Sequence, residues 1–135
     1  MKATYLAAAG GLVLVGAIAA CAPRVIAATG AQDYADYCAA CHGASGRGDG
    51  PAGRGMTPRP SDLTLIARNQ GGVFPMTSVM GHIDGYTMGR SASPMPEFAE
   101  LLDGPSVMYD DGSGKRVPTP ARLIALADYL RQIQR

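Results

Sequence analysis

Five consecutive positions, Cys38-Ala39-Ala40-Cys41-His42, hold two of the chain's three cysteines and one of its two histidines. Set in the stretch YCAACHG, they admit three chemistries: a disulfide or redox dithiol, a zinc site, and thioether attachment of a c-type haem. Zinc needs four donors, and the remaining candidates are Cys21, at the end of an apolar N-terminus, and the lone His82. A thioredoxin-like dithiol belongs beside a βαβ pattern, which this chain lacks. A plain disulfide would close so short a loop that it stabilises little, and it leaves His42 without a role. The C-x-x-C-H spacing suits the third chemistry best. Both thiols can bond one edge of a porphyrin, and His42 then lies beneath the iron as the proximal ligand.

A second axial donor is sought among the methionines. Met95 lies in Ser93-Pro94-Met95-Pro96-Glu97-Phe98, where the flanking prolines stiffen the backbone and remove two donors. Such a loop can present a thioether to iron, and Met/His ligation raises the reduction potential, as suits an electron carrier. Met76, Met80 and Met88 compete with it. Met80 shares a helical pattern with Met76, Val79 and Ile83, so core packing accounts for it. His82 would give bis-His ligation, but its place beside Gly81 in a helical stretch suggests a surface or packing role.

The elements that must position these groups read as helical. Tyr34, Tyr37, Cys38 and Cys41 fall on one face of a helix over residues 30–41. Residues 43–60 contain six glycines and three prolines and read as a loop. Ser61-Asp62 caps a short helix that Gly71-Gly72 terminates, and a second short helix runs from Phe74 to Ile83. Residues 86–97 are loop, and 97–103 hold another helical turn or two. The DGSG turn between VMYD and KRVP marks a small hairpin or extended insertion. Thr119 is the expected cap of a last helix with Pro120 in its first position, and Leu123, Leu126, Ala127 and Leu130 form its apolar stripe.

The N-terminus is an export signal in form: Lys2, then an uncharged apolar run over residues 5–20 ending in small residues. Ile18-Ala19-Ala20-Cys21 resembles the lipobox of bacterial lipoproteins, with Ile18 where Leu is usual, which would make Cys21 a diacylated first residue. Cleavage after Ala28, or retention of residues 3–23 as a membrane anchor, are the alternatives. The expected organisation is a signal segment over 1–20, a spacer over 21–29 and one domain over 30–135. Net charge is +1, with no basic cluster of the kind nucleic acid requires. With two Phe and no Trp, a buried planar cofactor would fill a core otherwise short of large side chains.

From about residue 30 to 135 these features resemble the class I cytochrome c family. Its members carry a small residue and an aromatic one turn apart before the first haem cysteine, and Gly30 and Tyr34 are similar. A Leu and an aromatic of the last helix cross them, as Leu126 and Tyr129 would. GDGP at 48–51, PSDLT at 60–64 and Met95-Pro96-Glu97-Phe98 also match bacterial members. The resemblance implies an all-α fold around one covalent haem c, with the carbonyl of Pro58 or Pro60 accepting a hydrogen bond from His42 Nδ1. It implies a one-electron carrier rather than an enzyme, working between a donor and an acceptor redox protein. Placed by its signal on the periplasmic side of a bacterial membrane, it would be held there by the lipid or anchor. A haem subunit of a dehydrogenase or oxidase is the second expectation, and a gas or redox sensor the third. Residues 103–118 depart from the short members of the family by an insertion of unassigned role.

Overall fold

The computed structural model describes residues 22–86 and 94–135. Residues 1–20, expected to be a signal segment, together with Cys21 and Met88, lie outside the described residues. Helix α1 spans Ala22–Tyr37, and α2 resumes at Ala39–His42 after a turn at Cys38. The break is shallow, because Cys38 N–H still donates to Tyr34 O and His42 N–H to Cys38 O, both at 2.9 Å. Residues 22–29, expected as a spacer, are helical from Ala22 onward. Pro23 stands in the first turn, where a missing N–H costs nothing, and the alanines that follow favour the helix.

The glycine-rich stretch is a loop with a single 3₁₀ turn at Pro51–Gly53. A second 3₁₀ turn, Leu63–Leu65, runs into α3, Ile66–Asn69. Asp62 caps it by accepting from Thr64 N–H at 2.9 Å. Helix α4, Met76–Asp84, stops at Gly85, whose φ of 100° is left-handed. The stretch expected to be helical over 97–103 contributes only a turn, closed by Leu102 N–H to Phe98 O at 3.0 Å. Strands β1, Ser106–Asp110, and β2, Arg116–Pro120, form an antiparallel hairpin in which Tyr109 faces Val117. Helix α5, Ala121–Gln132, completes the described chain.

Thr119 does not cap α5. Its hydroxyl donates to Val117 O at 3.2 Å, and Pro120 occupies the cap position. The reason is β2, which stays paired through Pro120 opposite Ser106 and delays the helix by a residue. The first helical amide, on Ala121, instead donates to Pro105 O at 3.0 Å.

The core centres on the crossing of α1 and α5. A Cβ on Gly30 would strike the Ala125 carbonyl, so only glycine permits this approach of two backbones. One turn on, Tyr34 packs on Tyr129 with ring centroids 5.2 Å apart, and Leu126 is 1% exposed. Burying a Leu of that kind is worth about 1.5–3 kcal/mol. Beyond the stripe, Gln134 ties the chain end to α3: it donates to Leu63 O at 2.8 Å and accepts from Ala67 N–H at 2.8 Å. The fold is thus mainly helical, with a small hairpin inserted before the last helix.

Candidate functional site

A cavity of about 570 Å³ opens between α2, the glycine-rich loop, α3, α4 and the segment at 94–98. Its lining is largely apolar, with Leu63, Ile66, Val79, Ile83, Phe98 and Leu130 among the contributors. Cys38, Cys41, His42 and Met95 all line it. Residues 57 positions apart in sequence therefore share one site.

Helix α1 and the turn at Cys38 deliver the cysteines. Cys38 is buried and Cys41 half-buried, and both carry free thiols. Burial, then the negative charges of Asp33 and Cys41, push the Cys38 thiol up to about 11. A redox dithiol needs the opposite shift, toward a thiolate at neutral pH. Among the described residues, which do not include Cys21, no group of three or more His, Cys, Asp or Glu is gathered as a metal-ion site.

His42 Nδ1 lies 3.0 Å from the Ser61 carbonyl oxygen. A carbonyl can only accept, so Nδ1 carries the proton and donates, which leaves Nε2 with its lone pair free for a metal. Such a partner also fixes the ring's orientation and raises its basicity. The expected partner was the carbonyl of Pro58 or Pro60, and this is corrected: Ser61 supplies it. Pro60 O is turned toward Gly48, where a Cβ would collide with it. The Ser61 carbonyl is held by its surroundings, since Leu63 N–H donates to Gly46 O at 2.7 Å and Asp62 is bound by Thr64 and Arg135. Glycine-loop amides close the rest of this wall: Gly48 N–H donates to His42 O at 2.7 Å and Gly50 N–H to Cys41 O at 3.1 Å.

Met95 is half-buried, packed against the core, and flanked in the lining by Pro94 and Pro96. Met80 is 5% exposed in the core and lines none of the cavity, consistent with packing. His82, expected on the surface or in packing, lines the cavity from α4, and so do Met56 and Arg59 of the glycine-rich loop. Sequence patterns did not single out Met56 or Arg59, because a glycine-rich loop has no periodicity that tells which side chains turn inward.

A family model described as Cytochrome c matches residues 27–134. The chain belongs to the cytochrome c family. No curated protein and no solved structure matches it. Cytochromes c bind c-type haem covalently, so haem c is the cofactor, and haem-based electron transfer is what the family does. The cavity fits that group on its own chemistry: apolar walls, two thiols, one imidazole whose Nδ1 is engaged by a carbonyl, and one thioether. As a cytochrome c the protein has redox partners, and carriers of this family are generally not catalytic.

Proposed function

We propose that this cytochrome c is a single-haem, one-electron carrier exported to the periplasmic side of a bacterial membrane and tethered there. In this reading Cys38 and Cys41 form the thioether links, His42 Nε2 is the proximal ligand and Met95 sulfur the distal one. The observation that carries it is the convergence of those four side chains on one apolar cavity. Haem c, when bound, supplies an iron that cycles between two oxidation states one electron at a time. The chain's residues hold that iron and keep water from it. Ser61 O accepts a hydrogen bond from His42 Nδ1–H and keeps Nε2 aimed as a ligand. Phe98 and Leu130 line the cavity with apolar surface that would exclude water, and Arg59 adds a cation to its lining. Neutral Met and His donors with apolar walls favour the reduced, less charged iron.

Tethering rests on Cys21, whose lipid chains would hold the domain at the membrane, since two acyl chains anchor stably where one does not. A membrane-held carrier meets membrane partners at raised effective concentration, which compensates for a net charge of only +1. A diacylated Cys21 in the intact mass of the mature protein supports this, and a mature chain starting at Thr29 refutes it. Reduced-minus-oxidised spectra with a near-infrared Met-to-iron band test the ligand pair.

One observation favours the second reading, a haem subunit of a membrane dehydrogenase or oxidase. The hairpin exposes Val107, Met108 and Val117, each half or more accessible to solvent. Exposed apolar side chains on both faces of this hairpin, Val107 and Val117 on one and Met108 on the other, suit contact with another protein. Purification at fixed stoichiometry with a larger redox protein, lost in a Val107→Ser/Met108→Ser/Val117→Ser variant, would select this reading over a free carrier.

A further inference from the structure

The segment that carries Met95 meets the rest of the fold again just after it, at Phe98 and Leu101. Phe98 N–H donates to Ile83 O at 3.0 Å, and Leu102 N–H to Phe98 O at 3.0 Å. A side chain adds a further tie: Arg122 donates to the Leu101 carbonyl at 2.8 Å. Arg122 stands in the first turn of α5, where the positive end of the helix disfavours a cation. Its presence there is explained by Asp33 on α1, only 4% exposed, which it binds through both carboxylate oxygens at 2.6 and 3.2 Å. A buried carboxylate requires such a partner. Tyr37, on the same helix as Asp33, lines the cavity and packs on Phe98 at 6.5 Å between ring centroids. One planar guanidinium thus joins α1, α5 and the segment that follows Met95.

We propose that Arg122, oriented by Asp33, is a positioning residue for the distal-ligand segment, a clamp on the Leu101 carbonyl that sets how readily Met95 leaves the cavity. This rests on the reading of Met95 as the distal ligand. The guanidinium fork is needed because the same group serves Asp33 bidentately and Leu101 from a separate nitrogen. A lysine has a single point of charge and cannot hold both in that geometry. Releasing the clamp leaves the thioether links and His42 untouched, since those groups are held by α2 and the glycine-rich loop.

The test uses the assembled holoprotein. Arg122→Met alone strands the Asp33 carboxylate and can fail to fold. The double variant Asp33→Asn/Arg122→Met removes the clamp without leaving a buried charge, and Arg122→Lys restores only the charge. Two quantities are read: the alkaline pH at which the Met-to-iron band disappears, and hydrogen exchange at the Phe98 and Leu102 amides. A roughly tenfold easier opening of the segment lowers that pH midpoint by about one unit and speeds both amides by about the same factor. That result is expected for the double variant, with Arg122→Lys falling between it and the parent. A double variant with the parent's midpoint and the parent's exchange rates overturns the clamp. If the parent's band survives Met95→Ala, the ligand reading has failed instead, and the exchange rates at Phe98 and Leu102 still decide the clamp.

Discussion

His42 and Met95 line the same cavity, yet the chain holds them in different ways. His42 sits on a helical turn continuous with α1, its ring is bonded to Ser61 O, and glycine-loop amides occupy the carbonyls of Cys41 and His42. Met95 sits between two prolines on a segment without regular structure, which returns to the fold at Phe98 and Leu101. One side is over-determined by local backbone bonds. The other returns to the fold through contacts made at a distance, at Ile83 and Arg122, so its fixing depends on tertiary structure. If these two are the ligand pair proposed above, perturbation should release the Met95 thioether before the His42 imidazole.

The largest expected effect breaks the firm side. His42→Ala removes the proximal ligand, and the variant should yield no low-spin cytochrome spectrum. Next comes the weaker side: Met95→Ala should keep the covalent haem in the intact mass while losing the near-infrared band and lowering the reduction potential. The double variant Met95→Ala/His82→Ala shows whether His82, which shares the cavity, takes over the vacated position. If the two spectra coincide, it does not. Third, Leu126→Ala opens a gap beneath the α1–α5 crossing and should cost about 2–5 kcal/mol in urea unfolding. Because the crossing underlies α2 more directly than it does the Met95 segment, the band should persist in folded Leu126→Ala protein.

The smallest effect probes the strap that carries Ser61. Hydrogen bonds from the Thr64 side chain above all, then from Arg135, hold the Asp62 carboxyl below its usual value. A depressed carboxylate pKa contributes stability that is present above the unfolded value and lost as pH falls through the folded one. Asp62→Asn should therefore be less stable than the parent at neutral pH, with the gap closing on acidification below about pH 4. A gap that stays constant with pH would show that the carboxylate charge does not brace this strap.

What could be read from the residues alone divides between local patterns and contacts between distant segments. C-x-x-C-H, the Gly30–Tyr34 pair, the α5 stripe and the DGSG hairpin are local patterns whose spacing carries their geometry, and each element stands where its spacing implied. The Ser61 carbonyl was mistaken for a proline's because adjacent carbonyls in one loop differ only in direction, which residue type does not report. Thr119 looked like a cap because the pairing that holds β2 through Pro120 lies outside its own neighbourhood. Asp33 and Arg122 gave no signal at all: they are 89 positions apart, and either alone reads as a solvated charge on a helix. Residue types at fixed spacing, Met95 between its prolines among them, were legible, and the contacts that join distant segments were not.

The central claim is that Cys38 and Cys41 are bonded to one haem, and the most direct measurement is the mass of the tryptic peptide that ends at Arg47 from the matured protein. The account predicts that this peptide carries a tetrapyrrole and that neither cysteine can be alkylated. A peptide of unmodified mass, with both thiols open to alkylation, would contradict it.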